Sequence, residues 1–508
     1  MIAKAIQNIV IVGGGTAGWM AANLFANQWA AQGAKISLIE STDIGTIGVG
    51  EGSTPYLKLF FQRLGIKEHE WMPACNATYK CGIRFPNWST VKGYEEYVHP
   101  FFNSLDVTTG EAFFLNANSR RSGFDVAANP GDFFVAAELA RQYRAPVFKD
   151  ESLSNQQIDY GYHFDSGLLG NFLKQHAIKL GVHHVIGTIS SVAQHDNGDI
   201  NSVLLTTGEK IEGDFFVDCS GFSGLLINQT LHEPFLSYKN NLFNDRAIAI
   251  PTPLDDKQRI PSETISTALT NGWAWKIPLS SRFGNGYVYS SGFISDDDAE
   301  TELRLVLGKS AENAAARRLK MRVGRVEQHW RNNCLAIGLS QGFIEPLEAT
   351  ALMLIQFTVV SFIEQLHKGD YTPKFQANFN KRINQFFEGV RDYIVAHYQL
   401  NSRDDSDYWR ENRKHKNVSD VLADLLEAWD NNKNIDQVLN KYSEQLIYLR
   451  PSWYCILAGM GRFPSTQQNL LHKKNIDRLQ AHSQLKIHAE KFHDHSLYLQ
   501  NLYGGKYF

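Results

Sequence analysis

Asn8-Ile9-Val10-Ile11-Val12-Gly13-Gly14-Gly15-Thr16-Ala17-Gly18-Trp19-Met20-Ala21-Ala22 is the stretch whose reading decides the fold. A short apolar run, the pattern of a strand buried on both faces, ends in glycines and passes directly into an Ala-rich helical pattern. Gly13, Gly15 and Gly18 form G-x-G-x-x-G at that joint. Glycines permit a tight turn and close backbone approach. The start of the helix, with Thr16 and Ala17 inside the motif, offers unpaired N–H groups and the positive end of a dipole to a pyrophosphate. A second strand, Ile36-Ser37-Leu38-Ile39, ends in Glu40, 22 residues after Gly18, where an acidic side chain accepts hydrogen bonds from an adenosine ribose. G-x-G-x-x-G alone is a weak signal. Strand, helix, second strand and terminal acid in this order predict a dinucleotide site on a parallel α/β sheet.

The 508 residues have a globular composition, 43% apolar and 20% charged, with a net charge of −3. That length exceeds what one hydrophobic core usually holds, so two or three packed units are expected. The near-neutral balance leaves no footprint for nucleic acid or an anionic membrane. Cys75, Cys81, Cys219, Cys334 and Cys455 are scattered without a C-x-x-C. This spacing argues for a reducing compartment and against a disulfide framework, a zinc ribbon or a redox dithiol, and no metal site is expected. The first strand begins within ten residues of Met1, which leaves no room for a signal peptide. The longest apolar-looking segment, Ala351 to Ile363, is short and interrupted by Gln356, so a cytoplasmic protein without a membrane span is the expectation.

Beyond Glu40, residues 44–55 carry four glycines and read as a backbone loop passing close to a ligand. Ala77 to Trp88 reads as one strand, with Lys80 among Tyr79, Phe85 and Trp88. A lysine in that setting is ordinarily a surface residue with a snorkelling stem. Tyr97 to Phe102 place His99 and Phe101 in an aromatic cluster, and residues 103–155 read as polar and irregular. Short strands follow from Val182 to Gly213, and Asp214 to Gly221 reads as a buried strand emptying into a second glycine turn, which a parallel sheet would bring beside the first. Residues 240–305 look mostly β and include Gly272-Trp273-Ala274-Trp275-Lys276-Ile277-Pro278, with both tryptophans on one face. A helix starting near Glu348 would leave N–H groups free to seat an anion. From residue 367 the pattern is helical, broken by the apolar segment Trp453 to Gly461. The expected organisation is a dinucleotide module over 1–365, with a substrate-side β-sheet interleaved at about 75–130 and 230–320, and a mainly helical cover over 366–508. One dinucleotide fingerprint is present, so reducing power must enter from outside the chain.

These motifs resemble the flavin-dependent halogenases of the tryptophan halogenase family, over nearly the whole length to about residue 465. The resemblance rests on Gly-Gly-Gly-Thr-Ala-Gly-Trp-Met-Ala-Ala at 13–22, Gly-Val-Gly-Glu-Gly-Ser-Thr-Pro at 48–55 and Tyr-His-Phe-Asp at 162–165. It extends through Val-Asp-Cys-Ser-Gly-Phe at 217–222, Gly-Trp-Ala-Trp-Lys-Ile-Pro at 272–278 and Glu-Pro-Leu-Glu-Ala-Thr at 345–350. The resemblance implies an FAD-binding, Rossmann-like domain of the aromatic-hydroxylase type with a β-sheet substrate region and a C-terminal helical cap. It implies FAD held by Gly13, Gly15, Thr16, Ala17, Gly18, Glu40, Gly48, Val49, Gly50, Glu51, Ile186 and Leu339, and delivered as FADH2 by a separate NAD(P)H-dependent flavin reductase. Chloride or bromide would sit at the N–H groups of Thr350 and Ala351 and be oxidised to hypohalous acid. Lys80 would hydrogen-bond that acid or become a haloamine, and Glu348 would take the ring proton or stabilise the positive ring. His99, Phe101 and Trp453 would sandwich an indole, and Trp273 and Trp275 would crowd the flavin side. A homodimer is compatible with this reading.

Two departures bear on the substrate. The tryptophan-specific members carry Ser where this chain has Ala349, which removes a possible partner for Lys80. Around 440–455 the Tyr-Tyr pair and Glu that hold the amino acid's carboxylate and ammonium are not reproduced. Indole or another small electron-rich arene is therefore the implied substrate rather than free tryptophan. Halogenation of a carrier-bound or larger substrate, and flavin-dependent hydroxylation, stay open at this point.

Overall fold

The computed structural model describes residues 6–42, 50–153, 156–256, 259–464 and 478–504; Gly48 and Val49 lie outside the described residues. The chain opens with β1 (Asn8–Val12), α1 (Thr16–Trp29) and β2 (Lys35–Glu40), as the glycine-hinged pattern predicts. A short β3 (Gly50–Gly52) follows. The expected single strand from Ala77 to Trp88 is two, β4 (Thr78–Lys80) and β5 (Gly82–Pro86). They part at Cys81, whose N–H turns to the Ser262 carbonyl at 2.7 Å while its own carbonyl takes the Phe101 N–H at 2.9 Å. β6 (Glu96–Pro100) pairs antiparallel with β5 and sets His99 opposite Ile83.

The region read as irregular contains α2 (Val107–Arg121). It buries Thr109, Asn116 and Arg121 together with Phe113 and Phe114, so polar residues on the inner face hide the helical period. Next come β7 (Gly161–Asp165), α3 (Ser166–Lys179), β8 (His183–Ile186) and β9 (Phe215–Asp218). The β-rich region supplies β10 (Arg246–Thr252), β11 (Thr264–Leu269), β12 (Gly272–Pro278) and β13 (Phe283–Tyr289). It closes with β14 (Arg317–Lys320), β15 (Trp330–Arg331) and β16 (Cys334–Ala336). Three of the helices beyond it are α4 (Ala351–Lys368), α5 (Gln376–Leu400) and α6 (Arg450–Gly459). The C-terminal region is not helical throughout, because Phe492–Asp494 forms a strand paired with Arg144–Phe148.

A six-stranded sheet runs β15-β16-β9-β1-β2-β8, parallel from β16 to β8. Ile9 and Ile11 of β1 pack into one apolar cluster and Val10 and Val12 into another, so both faces of the strand are buried, which accounts for the unbroken apolar run. α1 and α4 pack together through Phe25 and Phe362, edge to face with centroids 6.1 Å apart. Truncating either ring to alanine would cost about 3–5 kcal/mol. A seven-stranded sheet runs β14-β10-β13-β12-β11-β5-β6. Beside it a three-stranded sheet, β3-β7-β4, places His163 between Gly52 and Thr78 and sets Lys80 opposite Gly161. Among the described residues no helix is long and apolar enough to cross a membrane, and no group of three or more His, Cys, Asp or Glu could hold a metal ion.

Candidate active site

The turn after β1 brings backbone against backbone. Gly13 stands at φ +115°, and a Cβ there would lie 2.1 Å from the Cys219 carbonyl oxygen. A Cβ on Gly18 would lie 1.9 Å from the Gly13 carbonyl oxygen, whereas one on Gly15 would meet nothing within 4 Å. The start of α1 therefore closes tightly on the sheet and opens on free space. Thr16 reaches the Ser166 carbonyl at 3.4 Å, and Ala17 packs under Gly338, where a Cβ would come within 2.7 Å of it. Leu339 follows half-buried in the turn Gly338–Ser340. Ile186 ends β8, exposed and in register with Glu40. Glu40 Oε2 accepts from Lys174 Nζ at 3.2 Å and from His184 Nε2 at 2.8 Å, so the expected ribose acceptor already gathers two basic groups. Gly50 lets β3 lie on β13, since a Cβ would sit 3.2 Å from the Gly284 Cα. Burial pushes the Glu51 carboxyl up to about 7, against a hydrogen bond with Ser166 and with the help of the Asp165 charge.

Lys80 is not the snorkelling surface residue that its local sequence suggests. It is 0% exposed, and its Nζ has no hydrogen-bond partner. Burial lowers its pKa to about 7, and the Glu348 charge pulls the other way. Because strand side chains alternate, its neighbour Tyr79 points to the opposite face. There the hydroxyls of Tyr79, Tyr160 and Tyr162 all donate to Glu68, at 2.6, 2.8 and 2.7 Å, and pin β4 to β7. The Phe101 ring centroid lies 5.5 Å from Nζ. Gly161, opposite Lys80, makes room for that ring, since a Cβ there would approach Phe101 to 3.3 Å.

Glu348 ends the short turn Pro346–Glu348, and α4 begins three residues later than an apolar start at Glu348 would suggest. Ala349 between them is left-handed at φ +57°, which keeps Glu348 outside the helix. Two histidines grip its carboxylate: His99 Nδ1 lies 2.9 Å from Oε2 and His397 Nε2 lies 3.1 Å from Oε1. Burial alone would raise this carboxyl, but the charge of His99, its hydrogen bond and the close contact of His397 hold it at about 2. His99 Nε2 meets Ser452 Oγ at 3.0 Å, so the ring expected to stack on substrate is bonded at both nitrogens and orients Glu348. Neither His397 nor Ser452 belongs to a sequence motif. Each sits within a long helical pattern, where a buried histidine or serine carries no special spacing.

Glu345, also buried, accepts from Trp273 Nε1 at 2.9 Å, Asn244 Nδ2 at 2.8 Å and Tyr398 Oη at 2.7 Å through one oxygen. The Gly-Trp-Ala-Trp segment and the Glu-Pro-Leu-Glu turn are thus bonded to each other. Trp275 lies over Gly286, where a Cβ would stand 2.1 Å from the indole, and the two tryptophan ring centroids are 6.2 Å apart. Trp453 is buried edge-on to Tyr393 at 5.0 Å, and Tyr393 stacks on Tyr448 at 3.6 Å. Thr350, buried, precedes α4 without a side-chain capping bond, and Ala351 is the first residue of the helix, where N–H groups lack intrahelical acceptors. Together these residues set a buried amine, its pKa lowered by desolvation, within the electrostatic reach of a carboxylate held ionised. An amine of that kind donates strong hydrogen bonds when protonated and is a nucleophile when neutral.

The profile of the tryptophan halogenase family matches residues 8–475. The chain belongs to the tryptophan halogenase family. Its relatives are flavin-dependent enzymes that halogenate aromatic rings, and this chain is an enzyme of that kind. Tryptophan 6-halogenase SttH of Streptomyces toxytricini is 40% identical over 447 residues, covering 83% of this chain and 84% of the relative. The crystal structure of SttH superposes with a TM-score of 0.84 over 98% of this chain and 99% of that one, at 34% identity. Tryptophan 7-halogenase RebH of Lentzea aerocolonigenes is 36% identical over 494 residues, 90% of each chain. Xcc4156, a flavin-dependent halogenase from Xanthomonas campestris, superposes with a TM-score of 0.85 over 98% of this chain and 99% of that one, at 30% identity.

Proposed function

We propose that this enzyme uses FADH2 and oxygen to oxidise bromide or chloride to hypohalous acid, and that Lys80 and Glu348 direct halogenation of a small electron-rich arene such as indole. The observation that carries the proposal is the buried, unpartnered Lys80 amine within the electrostatic reach of a Glu348 carboxylate that two histidines contact. FAD fits the glycine turn: Cβ atoms at Gly13 and Gly18 would collide with backbone, and the open side at Gly15 leaves room for a pyrophosphate at the start of α1. When bound, the reduced flavin, delivered by a separate NAD(P)H-dependent reductase, supplies the electrons that activate oxygen against the halide. Gly13, Gly15, Thr16, Ala17 and Gly18 would hold its phosphates, Glu40 its ribose, and Gly48, Val49, Gly50, Glu51, Ile186 and Leu339 its flanks. The N–H groups of Thr350 and Ala351 would seat the halide.

Residues 1–365 would carry the cofactor and the β-sheet wall of the substrate space, and the helices after 366 would cover it. As an ammonium, Lys80 polarises the hypohalous oxygen; as an amine, it can carry the halogen itself. Glu348 takes the proton lost from the ring or offsets its positive charge. His99, Phe101 and Trp453 would flank the arene, and His99 would also hold Glu348 toward it through Nδ1. Trp273 and Trp275 would keep the arene from the flavin. A neutral arene suits the segment around 440–455, where Arg450 is committed to Asp436 at 2.7 Å and Glu444 is exposed. Protein, FAD, a flavin reductase, NADH and bromide or chloride, offered indole, tryptophan and phenols, should give halogenated indole by mass spectrometry. Lys80→Ala should abolish that product while flavin reoxidation and peroxide release continue. Halogenation by the variant would refute the role of Lys80, and a hydroxylated product without halide dependence would refute the activity.

A further inference from the structure

Four groups stand in line behind Lys80. The Thr78 hydroxyl lies 2.7 Å from the Pro278 carbonyl oxygen, which can only accept, so the one Thr78 proton is spent there. The Thr78 oxygen lies 3.0 Å from His163 Nδ1 and must accept from it, which places the ring proton on Nδ1. His163 is fully buried, and burial first, then the charges of Lys80 and His495, hold its pKa well below the usual histidine value. The ring is neutral, and Nε2 is a bare lone pair. Thr264 Oγ1, 2.9 Å away, donates to it. Every hydrogen in the line points from Lys80 toward Pro278, and Thr264 is left with lone pairs alone on its other side. The line cannot carry a proton away, because a carbonyl ends it; it can only hold its own orientation.

Lys80 and Thr264 meet at Gly52. A Cβ there would lie 3.2 Å from Lys80 Nζ and 3.4 Å from Thr264 Oγ1, so the amine without a partner and the acceptor without a donor border one spot. We propose that Thr264 is a positioning residue for Lys80: its hydroxyl, kept acceptor-only by His163, Thr78 and the Pro278 carbonyl, is placed to take one N–H of the lysine, a bond not made in this structure, and so to fix where the remaining N–H groups, or the amine lone pair, face Glu348 and the substrate. This rests on the reading of Lys80 as the halogenating group. Gly52, His163 and Pro278 each belong to a different motif, and the line of hydrogen bonds gives all three a shared task. Thr264 itself lies in no motif. An acceptor at this place favours the ammonium over the amine. The charge opposed to Lys80 comes from Glu348, while His163 on β7 stays neutral.

The test needs no cofactor. Cyanate, a small linear reagent, carbamylates an unprotonated amine, and its yield at Lys80 is read by mass spectrometry of digested protein across a pH series. The wild-type midpoint is expected above pH 7, the value to which burial, against the Glu348 charge, lowers the lysine without a hydroxyl partner. Thr264→Val keeps the shape but removes the acceptor, and should move the midpoint down by about one pH unit. Thr264→Ser should restore it. Thr78→Val, which frees His163 to carry its proton on Nε2, should shift the midpoint in the same direction by less, and serves if Thr264→Val does not fold. With flavin and halide supplied, Thr264→Val should yield about tenfold less halogenated arene per flavin oxidised, the loss expected for one charge-assisted hydrogen bond. Wild-type midpoint and yield in both valine variants would overturn the proposal. If the wild type halogenates no arene, the functional reading fails, and the cyanate midpoints still decide whether Thr264 holds Lys80.

Discussion

The glycine turn after β1, the proposed cofactor edge, and the Lys80–Glu348 cluster are built by opposite means. At the edge, the chemistry lies in the backbone: a turn too tight for a Cβ at Gly13 or Gly18, and helix N–H groups that need only be left free. In the cluster, the chemistry lies in side chains from distant segments, Lys80 on β4, His99 on β6, Glu348 before α4, His397 on α5 and Ser452 on α6. A backbone site is written in consecutive residues and tolerates no side chain where a Cβ would meet backbone. A side-chain site is assembled by packing, and its members control each other through burial and charge.

The sharpest test of that contrast is at the glycines. Gly18→Val should weaken FAD binding by at least about a hundredfold, or abolish folding, because its Cβ would lie 1.9 Å from a backbone oxygen. Gly15→Ala, with nothing of the protein within 4 Å, should fold normally and lose only what crowding of the phosphates costs. Flavin-fluorescence titration compares them, and equal loss of folding in the two would break the distinction. In the cluster, Glu348→Gln should keep FAD affinity and, if the proposed role holds, lower halogenation turnover by about 10²–10⁴-fold, the range for a lost general acid or base.

Lys80 should leave a mark on stability as well. Its folded pKa of about 7 lies below the ordinary 10.5, so between those values the unfolded chain binds more protons and stability rises with pH. Below pH 7 the cost of the buried charge is present in full. Lys80→Met should remove that rise and stabilise the protein at pH 7 by on the order of 2–4 kcal/mol, measured by urea unfolding at neutral and alkaline pH. A smaller effect is expected at His99. His99→Phe retains an aromatic face but loses the bond to Glu348, and should cut turnover about tenfold with KM for the arene little changed. A raised KM with full turnover would instead return His99 to substrate stacking. Smallest of all, Ala349→Ser should change turnover by less than about threefold, within the scatter of surface-like substitutions, because Glu348 is already gripped by His99 and His397.

What the local sequence conceals is instructive at particular residues. Lys80 reads as a surface lysine because its neighbours Tyr79 and Phe85 suit either a half-exposed or a buried strand; its burial follows from the break at Cys81, which sends β4 and β5 into different sheets. The helix over Val107–Arg121 is hidden because its inner face includes Thr109, Asn116 and Arg121. Glu348 reads as a helix-start residue matched to the dipole, and only the left-handed Ala349 sets it apart from the helix that follows.

The sequence by itself determined the β-α-β opening of the six-stranded sheet, with its glycine turn and the acid at the end of β2, and the aromatic motif on β12 of the other large sheet. These depend on contacts within a few residues or on backbone conformation, and such contacts leave a period or a spacing in the chain. Tertiary structure alone decided the state of the reactive groups. Whether Lys80 is charged, whether Glu348 stays ionised, and which way the Thr264 hydroxyl points all follow from desolvation and from partners far along the chain. Desolvation depends on everything packed around a group, and no stretch of sequence records it.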